Sequence, residues 1–358
     1  MPKKYTYAKA GVDRETRAKA KTALQILKKT FKFSQYGKVI QLPYGNVFPF
    51  DGKYLDFAIE GVGTKVLVAQ LAEKYDTIGI DGIAMVVNDV IRSGAKPLAI
   101  ADNIHAQTSD PKLVNELMIG IAKGAEEAEC VVPSGEIGDV AEVITGIVEG
   151  KGFDLVVACV GELTKDKMIK GDSIKPDDAI IGLRSNGIHS NGITLARKVL
   201  FKQWGGKYDP SAVLDGFSRE LIHEILEPTK IYVKAFLNIT KKVKIKGAVH
   251  ITGDAYLKFN RLMKFSKGIG FEFNNFKPQP IFDLIQRTTR EGRGELSDEE
   301  MLKTFNMGWG FTIIVEKKDV DTAIDYIEKS GVKAEQIGKA TSSEKIVAHY
   351  RRKKILLQ

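Results

Sequence analysis

Three short stretches carry side chains suited to chemistry. In Glu60-Gly61-Val62-Gly63-Thr64-Lys65 a strand-like run ends on a carboxylate, two glycines let the backbone turn close to a ligand, and Thr64 and Lys65 open a helix. That order would gather a metal, a phosphate and a positive charge. It also reads as an ordinary strand-to-helix turn, and it lacks P-loop spacing. In Asp81-Gly82-Ile83-Ala84-Met85-Val86-Val87-Asn88-Asp89, a helical repeat of about 100° per residue returns Asn88 to within roughly 20° of Asp81 and leaves Asp89 roughly 80° away. Asp81 is expected to cap this helix, and Asp102 to end the next strand. Carboxylates converging with an amide suit oxygen-liganded Mg²⁺ that also holds phosphates; capping plus one buried hydrogen-bond network accounts for the same residues. The third stretch, Arg184-Ser185-Asn186-Gly187-Ile188-His189-Ser190-Asn191-Gly192, packs two glycines and five hydroxyl, amide or imidazole side chains between a strand and a helix. Its helix start favours an anion, and His189 is a candidate phosphate ligand or proton donor. His250-Ile251-Thr252-Gly253-Asp254 is a weaker cluster of the same kind. Neither G-x-S-x-G nor H-E-x-x-H occurs, which excludes the usual serine-hydrolase and zinc-protease readings.

The elements that must position these residues alternate between strand and helix patterns, as in a mixed α/β protein. Asp13 is expected to cap a helix reaching about residue 29. Strands are expected at 54–60, 97–102, 142–150, 153–163 and 179–183. Helices are expected at 65–73, 82–93 and 111–129 and from near Gly192, and a strand-helix-strand pattern between Trp309 and His349. The polar, charged run at 163–178 marks a boundary, giving lobes 1–165 and 166–358.

The 358 residues are 43% apolar and 28% charged, which excludes a disordered, collagen-like or disulfide-stapled chain. Cys130 and Cys159 are expected to be buried, reduced thiols, and two cysteines cannot make a four-cysteine zinc site. No apolar run approaches the roughly 18 residues of a membrane span, so a soluble, cytoplasmic protein is expected. The net charge of +9 is concentrated at the ends: residues 1–32 hold ten Lys or Arg against Asp13 and Glu15, and Arg351-Arg352-Lys353-Lys354 adds four more near residue 358. No nucleic-acid recognition module accompanies this charge, and it reads as the solvated ends of an enzyme.

Taken in order, Tyr7-Ala8-Lys9-Ala10-Gly11-Val12-Asp13, Gly61-Val62-Gly63-Thr64-Lys65, Asp76-Thr77-Ile78-Gly79-Ile80-Asp81, Val87-Asn88-Asp89, Ser185-Asn186-Gly187-Ile188-His189-Ser190-Asn191-Gly192 and His250-Ile251-Thr252-Gly253 resemble the aminoimidazole ribonucleotide synthetases, or phosphoribosylformylglycinamidine cyclo-ligases, over nearly the whole chain. The resemblance implies two tandem α/β (α+β) lobes, the N-terminal one pairing with a second subunit in a β-barrel-like dimer interface. ATP would lie between the lobes near that interface, with formylglycinamidine ribonucleotide as substrate. Carried over, Gly61, Gly63, Thr64, Lys65, Asp81, Asn88, Asp89 and Glu136 would bind the nucleotide. Glu60, Asp81, Asp89, Asp102 and Glu136 would surround Mg²⁺. Ser185, Asn186, Ser190, Asn191, His250, Thr252 and Gly253 would meet the substrate, and His189, Lys65 and Asp102 would serve catalysis. The sequence departs from the family pattern at Glu60, where Asp is usual, at Ser134-Gly135-Glu136-Ile137-Gly138 and at Gly253-Asp254-Ala255, where a third and second glycine are replaced. A carboxylate at 254 would repel phosphate unless a metal or a cation such as Lys258 offsets it.

Overall fold

The computed structural model describes residues 4–358. Helix α1 (Arg14–Lys21) starts as expected, with the Asp13 carboxylate accepting from the backbone N–H of Glu15 and Thr16 at 2.9 and 3.3 Å. The α geometry stops at Lys21, and Thr22–Phe33 winds as a 3₁₀ segment with no buried side chain. Without tertiary packing, helical periodicity alone does not hold a long α-helix.

A first sheet follows, made of β1 (Ile40–Leu42), β2 (Gly45–Phe50), β3 (Lys53–Gly61), β4 (Lys96–Ala106), β5 (Val131–Asp139) and β6 (Phe153–Leu163), in the spatial order β1-β2-β3-β6-β4-β5. Only β4 and β5 run parallel. Helices α2 (Lys65–Ala72), α3 (Asp76–Ile91) and α4 (Pro111–Ala128) intervene, and α3 packs between the sheet and α4. The order has two free edges, so one chain holds an open sheet and no closed barrel.

Two sequence expectations fail here. Helix α3 begins at Asp76 rather than near residue 82, which places Asp81 inside the helix instead of at its cap. Gly79 looks like a breaker but is a contact point: a Cβ there would lie 2.3 Å from the Leu117 carbonyl oxygen of α4. The segment 142–150 forms no strand; the strand is β5, whose Pro133, Gly135 and Gly138 disguise it. Gly135 is required because the Asp102 carboxylate would sit within 2.6 Å of a Cβ at that position.

The second sheet has seven strands, β7 (Ala179–Arg184), β8 (Gly247–His250), β9 (Gly270–Phe273), β10 (Trp309–Val315), β11 (Ala334–Thr341), β12 (Ile346–Tyr350) and β13 (Lys353–Leu356), ordered β13-β12-β9-β11-β7-β10-β8. Only β12 and β9 are parallel. It is accompanied by α5 (Ile193–Leu200), α6 (Leu221–Ile225), α7 (Val233–Ile239), α8 (Phe259–Met263), α9 (Pro280–Gly292), α10 (Asp298–Thr304) and α11 (Val320–Glu328). The fold is thus mixed α/β with two largely antiparallel sheets. Strand β10 is buried along its whole length, as its unbroken run of apolar and small residues requires. The basic N-terminal segment is not simply solvated. Tyr5 and Tyr7 are buried, Tyr5 N–H donates to the Glu295 carbonyl, and Tyr7 N–H to Glu300 Oε1 at 3.0 Å.

Candidate active site

Two turns of α3 clamp the segment that leads into α7. The fully buried Lys65 ammonium lies 2.6 Å from Asp81 Oδ2 and donates to the Glu227 carbonyl at 2.7 Å. Asp81 Oδ1 accepts from Thr229 N–H and Oγ1 at 2.7 and 2.6 Å and from Ser190 Oγ at 3.1 Å. Seven residues on, Asn88 donates to the Lys230 carbonyl and accepts from Tyr232 N–H at 2.8 and 2.9 Å. The shared face read from helical periodicity is real, and it is occupied by protein. Burial pushes the Lys65 ammonium down, with Asp81 opposing. Thr64 and Thr194 hydroxyls meet at 2.7 Å across the same seam.

The 185–192 loop is braced from behind. Asn306 accepts from Ser185 Oγ at 3.0 Å and donates to the carbonyls of Gly187 and Ile188 at 2.8 and 3.1 Å. Asn186 donates to Glu227 Oε1 at 3.2 Å, and its Oδ1 lies 3.0 Å from His189 Nε2. His189 takes a left-handed φ of +67° and is 1% exposed. Burial first, then the neighbouring His250, Lys65 and Lys230, push its pKa well below the ordinary imidazole value, so it is neutral. Its Nδ1 has no partner among the described residues. Gly310 makes room for the ring, since a Cβ there would lie 2.5 Å from His189 Cε1.

Around the second-lobe turn the chemistry is ionic. Asp89 Oδ1 is 2.7 Å from Arg92 Nη1 and 2.8 Å from His250 Nδ1. Burial would raise this carboxyl, but Arg92, His250 and Lys258 outweigh it and hold it well below the usual range. Glu60 is pushed up by burial and by Asp89, with Lys258 opposing. Lys258 is pushed down to about 8 by burial, and donates to Thr252 Oγ1 and to the His250 carbonyl. It is therefore not the partner of Asp254. That partner is the N-terminal segment: Arg17 Nη2 lies 2.5 Å and Arg14 Nε 3.6 Å from Asp254 Oδ1.

The five carboxylates expected around a metal do not converge. Asp81 is spent on Lys65 and Thr229. Asp102 pairs in register with Gly135 and is buried on the helix-covered side of the sheet, where burial raises its pKa. Glu136 pairs with Asn103, one residue on, and so projects from the opposite face. Among the described residues no group of three or more His, Cys, Asp or Glu could hold a metal ion; Glu60 and Asp89 alone influence each other. Gly63, at a φ of +75°, leaves open space in front of the turn, whereas a Cβ on Gly61 would touch the Leu155 carbonyl oxygen and Val156 Cγ2 at 3.8 Å. Sequence reasoning missed Thr229, Asn306, Arg17 and Arg92. Only Arg92 carried a signal, lying three residues after Asp89 on one helix.

Comparison with known proteins settles the family. Models of the AIR synthase related protein match the chain over residues 45–163 for the N-terminal domain and 175–351 for the C-terminal domain. The chain belongs to the AIR synthase family. Within the family, the phosphoribosylformylglycinamidine cyclo-ligase of Pyrococcus furiosus is 39% identical over 329 residues, covering 90% of this chain and 92% of the relative. That of Methanocaldococcus jannaschii is 37% identical and covers 99% of both. Among solved structures, AaThiL complexed with AMPPCP and TMP superposes with a TM-score of 0.60 at 17% identity, covering 93% of each chain. The HypE–HypF complex gives 0.60 at 15% identity, covering 95% of this chain and 98% of that one. These two show that the fold is shared beyond the cyclo-ligases.

Proposed function

We propose that this AIR synthase family member converts formylglycinamidine ribonucleotide to aminoimidazole ribonucleotide at the expense of ATP. Its 39% identity to a cyclo-ligase over 90% of its length carries the reading. In this reaction the formamide oxygen takes the γ-phosphoryl group. An amidine nitrogen then attacks the same carbon, the carbon–oxygen bond breaks, and phosphate leaves with the former formamide oxygen. The protein's part is positioning and charge neutralisation.

His189 is placed to take the proton released by the attacking nitrogen. Nε2 has two neighbours, Asn186 Oδ1 at 3.0 Å and the Lys230 N–H at 3.5 Å; in the tautomer that donates Nε2–H to the nearer Asn186, the lone pair sits on the unpartnered Nδ1 of a neutral ring. Because that atom is buried, the 185–192 loop must shift to admit substrate. Mg²⁺ would be held by Glu60 and Asp89, which fits an ion that uses one or two carboxylates and keeps waters and phosphate oxygens; when bound it would neutralise the phosphates. Lys65 and Asp81 hold the lobes in register.

The division into lobes 1–165 and 166–358, with the arm docked on the second lobe, belongs to the same reading. So does a homodimer built on the first sheet: Phe57, Ile59 and Val131 are 62%, 69% and 59% exposed on its uncovered face. No helix among the described residues is long and apolar enough to cross a membrane. A heavy-oxygen label in the formamide group tests the chemistry. The label is expected in the released inorganic phosphate; label retained in the organic product would overturn the phosphorylation step.

A further inference from the structure

The N-terminal segment brings a cation to the second-lobe turn, a guanidinium 38% exposed that makes one hydrogen bond to protein among the described residues. Arg14 is committed: Nη1 donates to Glu300 Oε1 at 2.9 Å, and Nη2 to the Lys303 carbonyl and Thr304 Oγ1 at 2.9 and 2.7 Å. It anchors α1 to α10. Arg17, almost one turn later, uses only Nη2, on Asp254 Oδ1. No other acceptor among the described residues bonds its guanidinium.

The free edge of Arg17 faces Gly253. A Cβ built on that glycine would lie 3.8 Å from Arg17 Nη1 and 3.5 Å from Asn191 Nδ2, with no other atom beyond its chain neighbours Thr252 and Asp254 within 4 Å. Two N–H donors, one from the arm and one from the 185–192 loop, thus approach the open side of this turn, beside the Asp254 carboxylate and the unpartnered Asn191 Oδ1. A guanidinium with N–H groups free of protein acceptors suits an anionic oxygen, and phosphate matches the guanidinium fork in charge and geometry.

Asp254 occupies a strained position. Its φ is +71° and that of Ala255 +39°, where side chains cost roughly 1 kcal/mol relative to glycine. The one ligand chemistry a carboxylate there opposes is an anion, unless the carboxylate itself is the holder of the cation. Its contacts to Arg17 and Arg14 are of that kind.

We propose that Arg17 binds the 5′-phosphate of the ribonucleotide substrate and that Asp254 is the positioning residue that holds it there. This rests on the ring-closure reading for the substrate's identity, though not for the phosphate contact. The arm is then part of the active site, and its charge has a local purpose.

The test uses the full chain and the variants Arg17→Gln, Arg17→Lys and Asp254→Gly. Ribose 5-phosphate is titrated by calorimetry, and kcat and KM are measured for the ribonucleotide and for its dephosphorylated ribonucleoside. Arg17→Gln is expected to weaken ribose 5-phosphate about tenfold or more and to raise the ribonucleotide KM equally, with kcat and the ATP KM within about twofold. Arg17→Lys should recover part of the loss, and Asp254→Gly should stay within about tenfold of wild type. The ribonucleoside should be handled alike by wild type and Arg17→Gln. Equal losses on phosphorylated and dephosphorylated substrates would show that Arg17 only docks the arm, and unchanged binding would remove it from the site; either overturns the proposal. Ribose 5-phosphate binding does not require turnover. A wild-type protein that binds it through Arg17 yet closes no ring would sink the ring-closure reading and leave the contact standing.

Discussion

Asp81 and Asp89 stand eight residues apart on one helix and live in opposite environments. Asp81 lies in a dry seam where the groups around it are used: Lys65, Thr229 and Ser190 take up its oxygens, and none of this network reaches solvent. Asp89 faces a turn crowded with Arg92, His250, Lys258 and, nearby, Glu60, and beyond it Arg17 and Asn191 keep unspent donors. The saturated region can hold the lobes together, whereas the unsaturated one has the capacity to bind something else. Charge density alone does not mark a binding site; unspent hydrogen-bonding capacity does.

Breaking the saturated side should give the largest effect. Asp81→Ala strands a buried ammonium, and chemical denaturation should show a loss of about 3–5 kcal/mol. A loss below about 1 kcal/mol would mean that water already reaches Lys65. Asp89→Asn tests the other side. It keeps a hydrogen bond to His250 and should cost about 1–2 kcal/mol of stability, while kcat/KM falls on the order of a hundredfold. Equal stability losses in the two variants would erase the contrast.

The pH dependence sharpens the comparison through His189. Its folded pKa is depressed, so below the unfolded value near 6.5 the unfolded chain binds a proton that the folded one refuses. Stability is therefore fully present above that value and is lost as pH falls, by up to about 1.4 kcal/mol per unit from this group. Thermal unfolding from pH 7 to pH 5 should show the loss, and His189→Asn should lessen the slope; an unchanged slope would mean that the ring is protonated in place. The smallest effect on the chain's own stability, within about 0.5 kcal/mol, is expected for Ile59→Lys on the uncovered sheet face. Light scattering should nevertheless show it as a monomer, where wild type is expected to be a dimer.

How much of this the sequence disclosed follows from the range of the forces. Periodicity placed Asp81 and Asn88 on one face because that depends only on the helix itself, and the Asp13 cap was legible for the same reason. The start of α3 was not, because Gly79 serves a contact with α4 that lies about forty residues away. Strand β5 was hidden by Pro133 and two glycines, one of which yields to the Asp102 carboxylate on the neighbouring strand. At the site, the second-lobe turn was recognisable but its cation was not: Arg17 meets Asp254 across 237 positions of sequence, and no local pattern announces such a pair.

The most direct test of the central claim is ADP release by the wild-type protein with and without formylglycinamidine ribonucleotide, followed together with aminoimidazole ribonucleotide formation. Release that depends on the ribonucleotide, with one imidazole product per ADP, is the predicted result. Release at the same rate without it, or release with no imidazole product, would contradict the account.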